Sequence, residues 1–204
     1  MMYMESKKYS DYINDPTISE AQRAKEIEYK NYVDNHIKNV KKAFELLSKL
    51  PEFYSIIKKY KPGSPQIYVY QLESIIKNHD MSKYYDPEWE AYRRYFYPVN
   101  DDEKKAAEND FNIAWKHHYE NNHHHWDYWY HSNSISKMTF SNVIDECCDW
   151  IAMSMVFPGT ALEFYKKKCV FSDDIKLGDL QKQITEEVLT LFYKHYTRLG
   201  ESIN

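Results

Sequence analysis

Glycine is scarce in this chain, and its scarcity limits the possible folds more than any other feature of the sequence. Only 4 of the 204 residues are glycine, whereas an average usage of about 7% would give roughly 14. Sheet-rich folds use glycine in hairpins and bulges, where the backbone angles exclude most other residues. The sequence therefore predicts helices joined by few tight turns, and we expect an all-α fold.

The spacing of apolar residues indicates where these helices lie. Apolar residues recur at intervals of four and three on one face of a long first helix, which a Ser19–Gln22 capping box would start: Val33, Ile37, Val40, Phe44 and Leu47. Gly200 is the predicted stop of the last helix. Further helices are predicted at 52–60, 69–79, 89–97, 101–122, 139–157, 161–168 and 180–199. Residues 123–138 are predicted to form a loop.

The chain shows neither an internal repeat nor a Pro/Gly-rich linker that would divide it. We therefore predict a loose leader over residues 1–18 and one helical-bundle domain over 19–200. The sequence leaves the oligomeric state open.

Charge and cysteine usage exclude several classes of protein. The formal net charge of −4 disfavours general nucleic-acid binding, which needs a basic surface. An odd number of cysteines with one adjacent pair is no disulfide framework and fits a reducing compartment; the three are Cys147, Cys148 and Cys169. No apolar run reaches 18 residues and no signal peptide is visible, so we expect no membrane span and a cytoplasmic location.

Histidines form the most distinctive local pattern. Six of the nine lie between positions 117 and 131, and His-rich tracts suggest metal binding. The pair His79-Asp80 follows a predicted helix and joins an imidazole nitrogen to a carboxylate oxygen, a combination that suits Zn, Mn or Fe. An ordinary helix C-terminus is the alternative interpretation of this pair.

Two further residues complete a possible ligand set. His36 flanks the apolar stripe of the first helix, four residues before Val40. Asp149 lies on the most apolar helix, where a buried carboxylate is costly unless it is paired or bound to a metal. Alternatively, Asp149 forms a solvent-exposed face together with Asp145 and Glu146.

The order of these residues resembles the HD superfamily of metal-dependent phosphohydrolases, which are helical bundles. The resemblance covers one histidine, an adjacent His-Asp pair and a distant aspartate: His36, His79, Asp80 and Asp149. The stretch His79-Asp80-Met81-Ser82-Lys83 is similar to the common His-Asp-x-Gly-Lys, with serine in place of glycine. The resemblance implies a bound divalent metal (Mn, Fe, Zn, Ni or Mg), and a Lys83 that contacts a substrate phosphate or the attacking water.

A closer resemblance, over roughly residues 30–165, is to an uncharacterised family of small bacterial and phage proteins with His-Asp-x-Ser-Lys and Asn-x-His-His-Trp motifs. Here the second motif reads Asn122-His123-His124-His125-Trp126. Members of the HD superfamily with two or three metals have extra histidines between the His-Asp pair and the last aspartate. By that resemblance His118, His124 and His125 are possible further ligands, although the interval from His118 to His124 is short.

The resemblance implies a small phosphorylated substrate, for which the sequence offers several contacts. Arg93 and Arg94 could bind a phosphate bidentately, and Trp126 could stack on a nucleobase. Asp80 could both bind the metal and accept a proton. We therefore expect a phosphohydrolase that acts on a nucleotide or cyclic nucleotide by metal-activated water.

Two alternatives stay open. The same ligands could serve a helical metal- or ligand-binding module without catalysis, of bacterial or phage origin. An interaction protein with an exposed aromatic surface is the third candidate. For the adjacent pair Cys147 and Cys148 the simplest interpretation is buried, inert thiols.

Overall fold

The computed structural model describes residues 6–203, and in this part of the chain every regular element is helical, as predicted. The α-helices are α1 (Tyr9–Ile13), α2 (Glu20–Ser48), α3 (Pro51–Tyr60), α4 (Pro65–Lys77), α5 (Glu88–Phe96), α6 (Asp101–Ala106), α7 (Glu108–Asn121), α8 (Trp126–His131), α9 (Phe140–Val156), α10 (Ala161–Tyr165) and α11 (Asp179–His195). Two short 3₁₀ helices, Met81–Tyr84 and Ile135–Lys137, and a π-helical turn, Lys166–Phe171, complete them.

The described chain divides into two compact units, where the sequence predicts one domain. The first unit contains residues 6–35 and 80–122, and the second contains residues 36–79 and 123–203. Helix α2 contributes residues to both units. The sequence does not indicate this division, because the boundaries between the units fall within or beside helices rather than in segments rich in proline or glycine.

The second unit is built around α9. This helix packs against α4, α10 and α11, and α3 packs against α4 and α11. Thr139 caps the N-terminus of α9. Its hydroxyl accepts a hydrogen bond from the backbone N–H of Asn142, and the side-chain oxygen of Asn142 accepts one from the backbone N–H of Thr139. Along α9 Val143, Ile144 and Ile151 are fully buried. The apolar character of the helix thus places it in the core, as predicted.

The first unit has an aromatic core. Helix α5 packs against α6, α7 and the Met81–Tyr84 turn. Trp89 of α5 is fully buried, and its ring centroid lies 4.7 Å from that of Tyr29 on α2. Aromatic pairs at this distance stabilise a fold beyond the contribution of the apolar surface that they bury.

The N-terminal segment is more ordered than the predicted leader. Residues 1–5 lie outside the described part of the chain, but Tyr9–Ile13 form α1. Tyr12 is buried in the first unit, where its hydroxyl donates to Asp86 at 2.5 Å and lies 3.1 Å from Glu90. The next helix begins as predicted, with the Ser19 hydroxyl accepting the N–H of Gln22.

The structure departs from the predicted elements most clearly in three places. Residues 123–138 contain α8 and a 3₁₀ helix rather than a loop alone, because packing of Trp126 and Trp129 on the core outweighs weak helix propensity. The predicted helix 101–122 is divided at Ala107, whose N–H is shared by two carbonyl groups of the preceding turn. Helix α11 ends at His195, and Gly200, at φ +72°, forms the turn that lets Tyr196 pair with Ser202.

Among the described residues, none of the helices is both long enough and apolar enough to cross a membrane.

Candidate metal centre

Three elements of the second unit bring two histidines and one aspartate together. His36 lies on α2 beside the apolar stripe, His79 follows the C-terminus of α4, and Asp149 lies on α9. All three side chains are buried. The packing of the apolar helix faces in the core therefore also buries these three polar side chains.

The donor atoms of these side chains converge on one point. His36 Nε2 lies 3.2 Å from Asp149 Oδ1 and 3.4 Å from His79 Nε2. One ligand atom from each of the three residues lies within 4.8 Å of the others.

These distances fit a coordination shell. Metal–nitrogen bonds of about 2.0–2.1 Å at tetrahedral angles place neighbouring donor atoms about 3.3 Å apart. Two imidazole nitrogens and a carboxylate oxygen suit zinc, manganese or iron, and three protein ligands leave a position for water or substrate. His36, His79 and Asp149 therefore form a group that could hold a divalent metal ion.

Asp145, one turn before Asp149 on α9, orients the histidines. Its two carboxylate oxygens lie 2.9 Å from His79 Nδ1 and 3.3 Å from His124 Nδ1. An ionised carboxylate only accepts hydrogen bonds, so each Nδ1 carries the donated proton. His79 Nε2 is thereby left to act as a ligand, which is the usual arrangement of a metal-binding histidine. The rings of His79 and His124 stack with centroids 4.3 Å apart.

The electrostatics of α9 favour charged carboxylates at this point. Burial by itself raises the pKa of Asp149, but the hydrogen bond and charge of His36 outweigh it and hold the pKa well below its usual range. For Asp145, burial likewise raises the pKa, and the charges of His124 and His79 lower it further than burial raises it. Both carboxylates therefore stay ionised at neutral pH, as metal ligands and their orienting groups must.

Glu146 lies between these aspartates on α9 and behaves differently. Burial, followed by the charges of neighbouring carboxylates, raises its pKa well above the usual value. The backbone N–H of Trp126 lies 3.4 Å from Oε1, and Oε2 has no hydrogen-bond partner among the described residues. The three acids of α9 are thus all buried, so the solvent-exposed face considered for them was wrong.

Asp80, the neighbour of His79 in the chain, belongs to the first unit. Its backbone is in the left-handed region, with φ at +56°. Non-glycine residues adopt this region rarely, and those that do are frequently found at functional sites. The buried carboxylate lies 2.6 Å from Lys83 Nζ through Oδ2 and 3.4 Å from His118 Nε2 through Oδ1. The structure therefore places three of the predicted site residues, Asp80, Lys83 and His118, next to one another.

The sequence did not single out Glu88, which proves central to the first unit. Its fully buried carboxylate lies 2.7 Å from both His117 Nδ1 and His118 Nδ1. Burial raises the pKa of Glu88, and hydrogen bonds from His117 and Ser82 oppose that effect. The only local signal was an acidic residue in the first turn of α5, which is common at helix N-termini.

Both arginines for which the sequence predicts phosphate binding form ion pairs with carboxylates. Arg93 is 1% exposed, and its guanidinium pairs with Glu26 at 2.8 Å and with Glu103 through two bonds of 2.9 and 2.7 Å. Arg94 pairs with Asp110 at 2.9 Å. Because Arg93 is buried among carboxylates that neutralise it, the structure gives no support to a role in substrate binding, and the role of Arg94 stays a prediction.

The remaining predicted residues lie in the second unit. His125 precedes α8, with its ring centroid 4.3 Å from that of His124, and Trp126 packs partly against the core. All three cysteines are buried and free of disulfides; burial was expected for Cys147 and Cys148, and it raises the pKa of these two thiols.

Residues 25–191 match a family model described as a family of unknown function, DUF5662. No curated protein and no solved structure matches this chain. The matched span includes His36, His79 and Asp149 together with Asp80, Glu88 and His118. Because the match extends over well more than half of its length, the chain belongs to the DUF5662 family.

Proposed function

We propose that this protein is a metal-dependent hydrolase of phosphate esters with an HD-domain-like fold. The observation that carries the proposal is the convergence of His36 Nε2, His79 Nε2 and Asp149 Oδ1 at donor spacings of a coordination shell. The order of these residues, with the His-Asp pair between a histidine and a distant aspartate, supports the same conclusion. The substrate we propose is a nucleotide or a cyclic nucleotide.

A bound divalent metal ion would provide a hydroxide nucleophile near neutral pH and polarise a phosphoryl oxygen. His36 and His79 would bind it through Nε2, and Asp149 would bind it through a carboxylate oxygen. Asp145 keeps the Nδ1 proton of His79 in place, which fixes the orientation of that ring. Residue by residue, the resemblance further assigns Asp80 to the metal and Lys83 to the substrate phosphate, and both assignments stay predictions.

The first experiment is elemental analysis of protein purified without a histidine tag. We expect at least one equivalent of Mn, Fe, Zn, Ni or Mg in the wild type and a loss of metal in His36→Ala and Asp149→Asn. His195→Ala is the matched control, because His195 belongs to the same unit but contacts Glu52. Absence of metal from the wild type after reconstitution would contradict the proposal.

Hydrolysis is then measured on metal-loaded protein with a phosphomonoester, a phosphodiester, nucleoside monophosphates and cyclic nucleotides. The proposal requires turnover that depends on the metal and falls to background in Asp149→Asn. Asp80→Ala is expected to lose both metal and turnover, and retained hydrolysis in that variant would refute the role of Asp80.

A non-catalytic metal-binding module is the second candidate. The burial of all three donor residues favours it, because structural metal sites are closed to solvent. This candidate predicts stoichiometric metal, strong stabilisation by that metal, and no hydrolysis of any phosphate ester in the series.

A further inference from the structure

We propose that Glu88 is a positioning residue, which keeps the Nδ1 of His118 protonated and thereby aims His118 Nε2 at Asp80. Any effect of Glu88 on hydrolysis rests on the proposed function. The protonation of Nδ1 itself is a property of the first unit and can be measured without metal or substrate.

The contacts of Glu88 define it as an acceptor only. Three polar groups surround the two carboxylate oxygens: His117 Nδ1 lies 2.7 Å from Oε1, His118 Nδ1 lies 2.7 Å from Oε2, and the Ser82 hydroxyl lies 3.0 Å from Oε2. An ionised carboxylate satisfies all three at once. A protonated one would place a hydrogen against at least one of these groups.

Asn122 removes the alternative direction for the hydrogen bond of His118. Its amide nitrogen lies 3.1 Å from His118 Nδ1, and a bond donated there would require an unprotonated ring nitrogen. Closer acceptors are at hand for both amide hydrogens, namely the Ser82 hydroxyl at 2.7 Å and the backbone carbonyl of His118 at 2.8 Å. The Nδ1 proton of His118 is therefore donated to Glu88.

Aromatic neighbours restrict the ring of His118 to this orientation. Trp115 stacks on it with centroids 5.7 Å apart, and Tyr92 contacts it edge-on at 6.0 Å. With Nδ1 held by Glu88, Nε2 is directed to Asp80 Oδ1 at 3.4 Å. His118 thus links two buried carboxylates, and only its Nε2 can change between donor, acceptor and metal ligand.

The serine that replaces glycine in the His-Asp-x-Gly-Lys pattern has a place in this arrangement. Ser82 donates to Glu88 and accepts from Asn122, so it connects the turn after Asp80 to the end of α7. A glycine at this position has no hydroxyl with which to make either contact. The departure from the superfamily pattern is therefore part of the device that fixes His118.

The test is side-chain ¹⁵N NMR of metal-free protein labelled at histidine, with signals assigned by His117→Gln and His118→Gln. Long-range ¹H–¹⁵N correlations distinguish protonated from unprotonated ring nitrogens. In the wild type we expect Nδ1 of both residues to carry a proton. An unprotonated Nδ1 on His118 would overturn the proposal, and this measurement needs no substitution of Glu88.

Glu88→Gln provides the second arm of the test. A glutamine side chain offers one acceptor atom where glutamate offers two, so Nδ1 of His117 or His118 must lose its proton. Unchanged Nδ1 signals in both residues would show that Glu88 does not set their protonation and would refute the proposal. Glu90→Gln is the matched control, because Glu90 lies on the same helix but contacts Tyr12, and this variant should leave both Nδ1 protons in place.

Discussion

Asp145→Asn is the substitution that probes the candidate metal centre most directly, because it changes no proposed ligand. The two carboxylate oxygens of Asp145 accept from Nδ1 of His79 and from Nδ1 of His124. An asparagine keeps the shape of the side chain but offers one acceptor oxygen and, on the other side, an NH₂ donor. One of the two imidazoles must then carry its proton on Nε2 or rotate.

The size of the effect follows from which imidazole is disturbed. His79 makes the shorter contact, at 2.9 Å against 3.3 Å for His124, and its Nε2 faces His36 in the centre. Loss of an orienting carboxylate commonly lowers metal affinity 10- to 100-fold, which corresponds to about 1.4–2.7 kcal/mol of binding free energy. We expect a loss in this range, with metal still bound at high concentration.

The assay is competition for Zn²⁺ or Mn²⁺ against a chromogenic chelator, at constant pH and ionic strength. Glu146→Gln is the matched control, since Glu146 is the next residue on α9 and is also buried, and a glutamine can still accept from the backbone N–H of Trp126. The control should retain the affinity of the wild type within about two-fold. An Asp145→Asn protein that binds metal as tightly as the wild type would refute the orienting role.

Three further results follow from the structure. Arg93→Met should lower the free energy of unfolding by about 3–5 kcal/mol, because Glu26 is left as an unpaired buried charge; equilibrium denaturation measures this loss. The metal affinity of the same variant, measured by chelator competition, should not change. Because the folded-state pKa of Asp145 is depressed, its ionised carboxylate stabilises the fold above the unfolded pKa of about 3.9, and this stabilisation is lost as the pH falls below that value. The stability of the metal-free protein should therefore fall less steeply with decreasing pH in Asp145→Asn than in the wild type. Equal slopes of stability against pH in the two proteins would contradict this. Metal at one hundred times its Kd should add about 2.7 kcal/mol to stability, so EDTA should lower the Tm of the wild type and leave that of Asp149→Asn unchanged.

The helical fold could be predicted from the sequence because its signals are local. The 3–4 spacing along α2, the Ser19 cap at its start and the apolar run of α9 each depend on a few neighbouring residues. Residues 123–138 were predicted less well, because α8 depends on the packing of its tryptophans rather than on helix propensity. The end of α11 was missed because Tyr196 pairs with a residue that follows the Gly200 turn.

The candidate site was predictable only in part. The expectation for His36, His79 and Asp149 came from residue order, and the structure brings these three together. Glu88 and the burial of Arg93 could not be anticipated, since their partners are distant in sequence: Glu88 contacts α7, and Arg93 contacts Glu26 on α2. Burial of a charged residue becomes visible only when the oppositely charged partner is known.

The hydroxyl of Ser82 also has a consequence for how sequences of this family can diverge. It is useful at this position only while Glu88 accepts its hydrogen bond and Asn122 donates to it. In a homologue without the glutamate, the hydroxyl at position 82 has no acceptor to donate to, so other small residues can replace the serine; a homologue that keeps both should retain an amide at the end of α7. The three positions should therefore be inherited as a unit, and a homologue that has replaced one of them should have replaced the others as well.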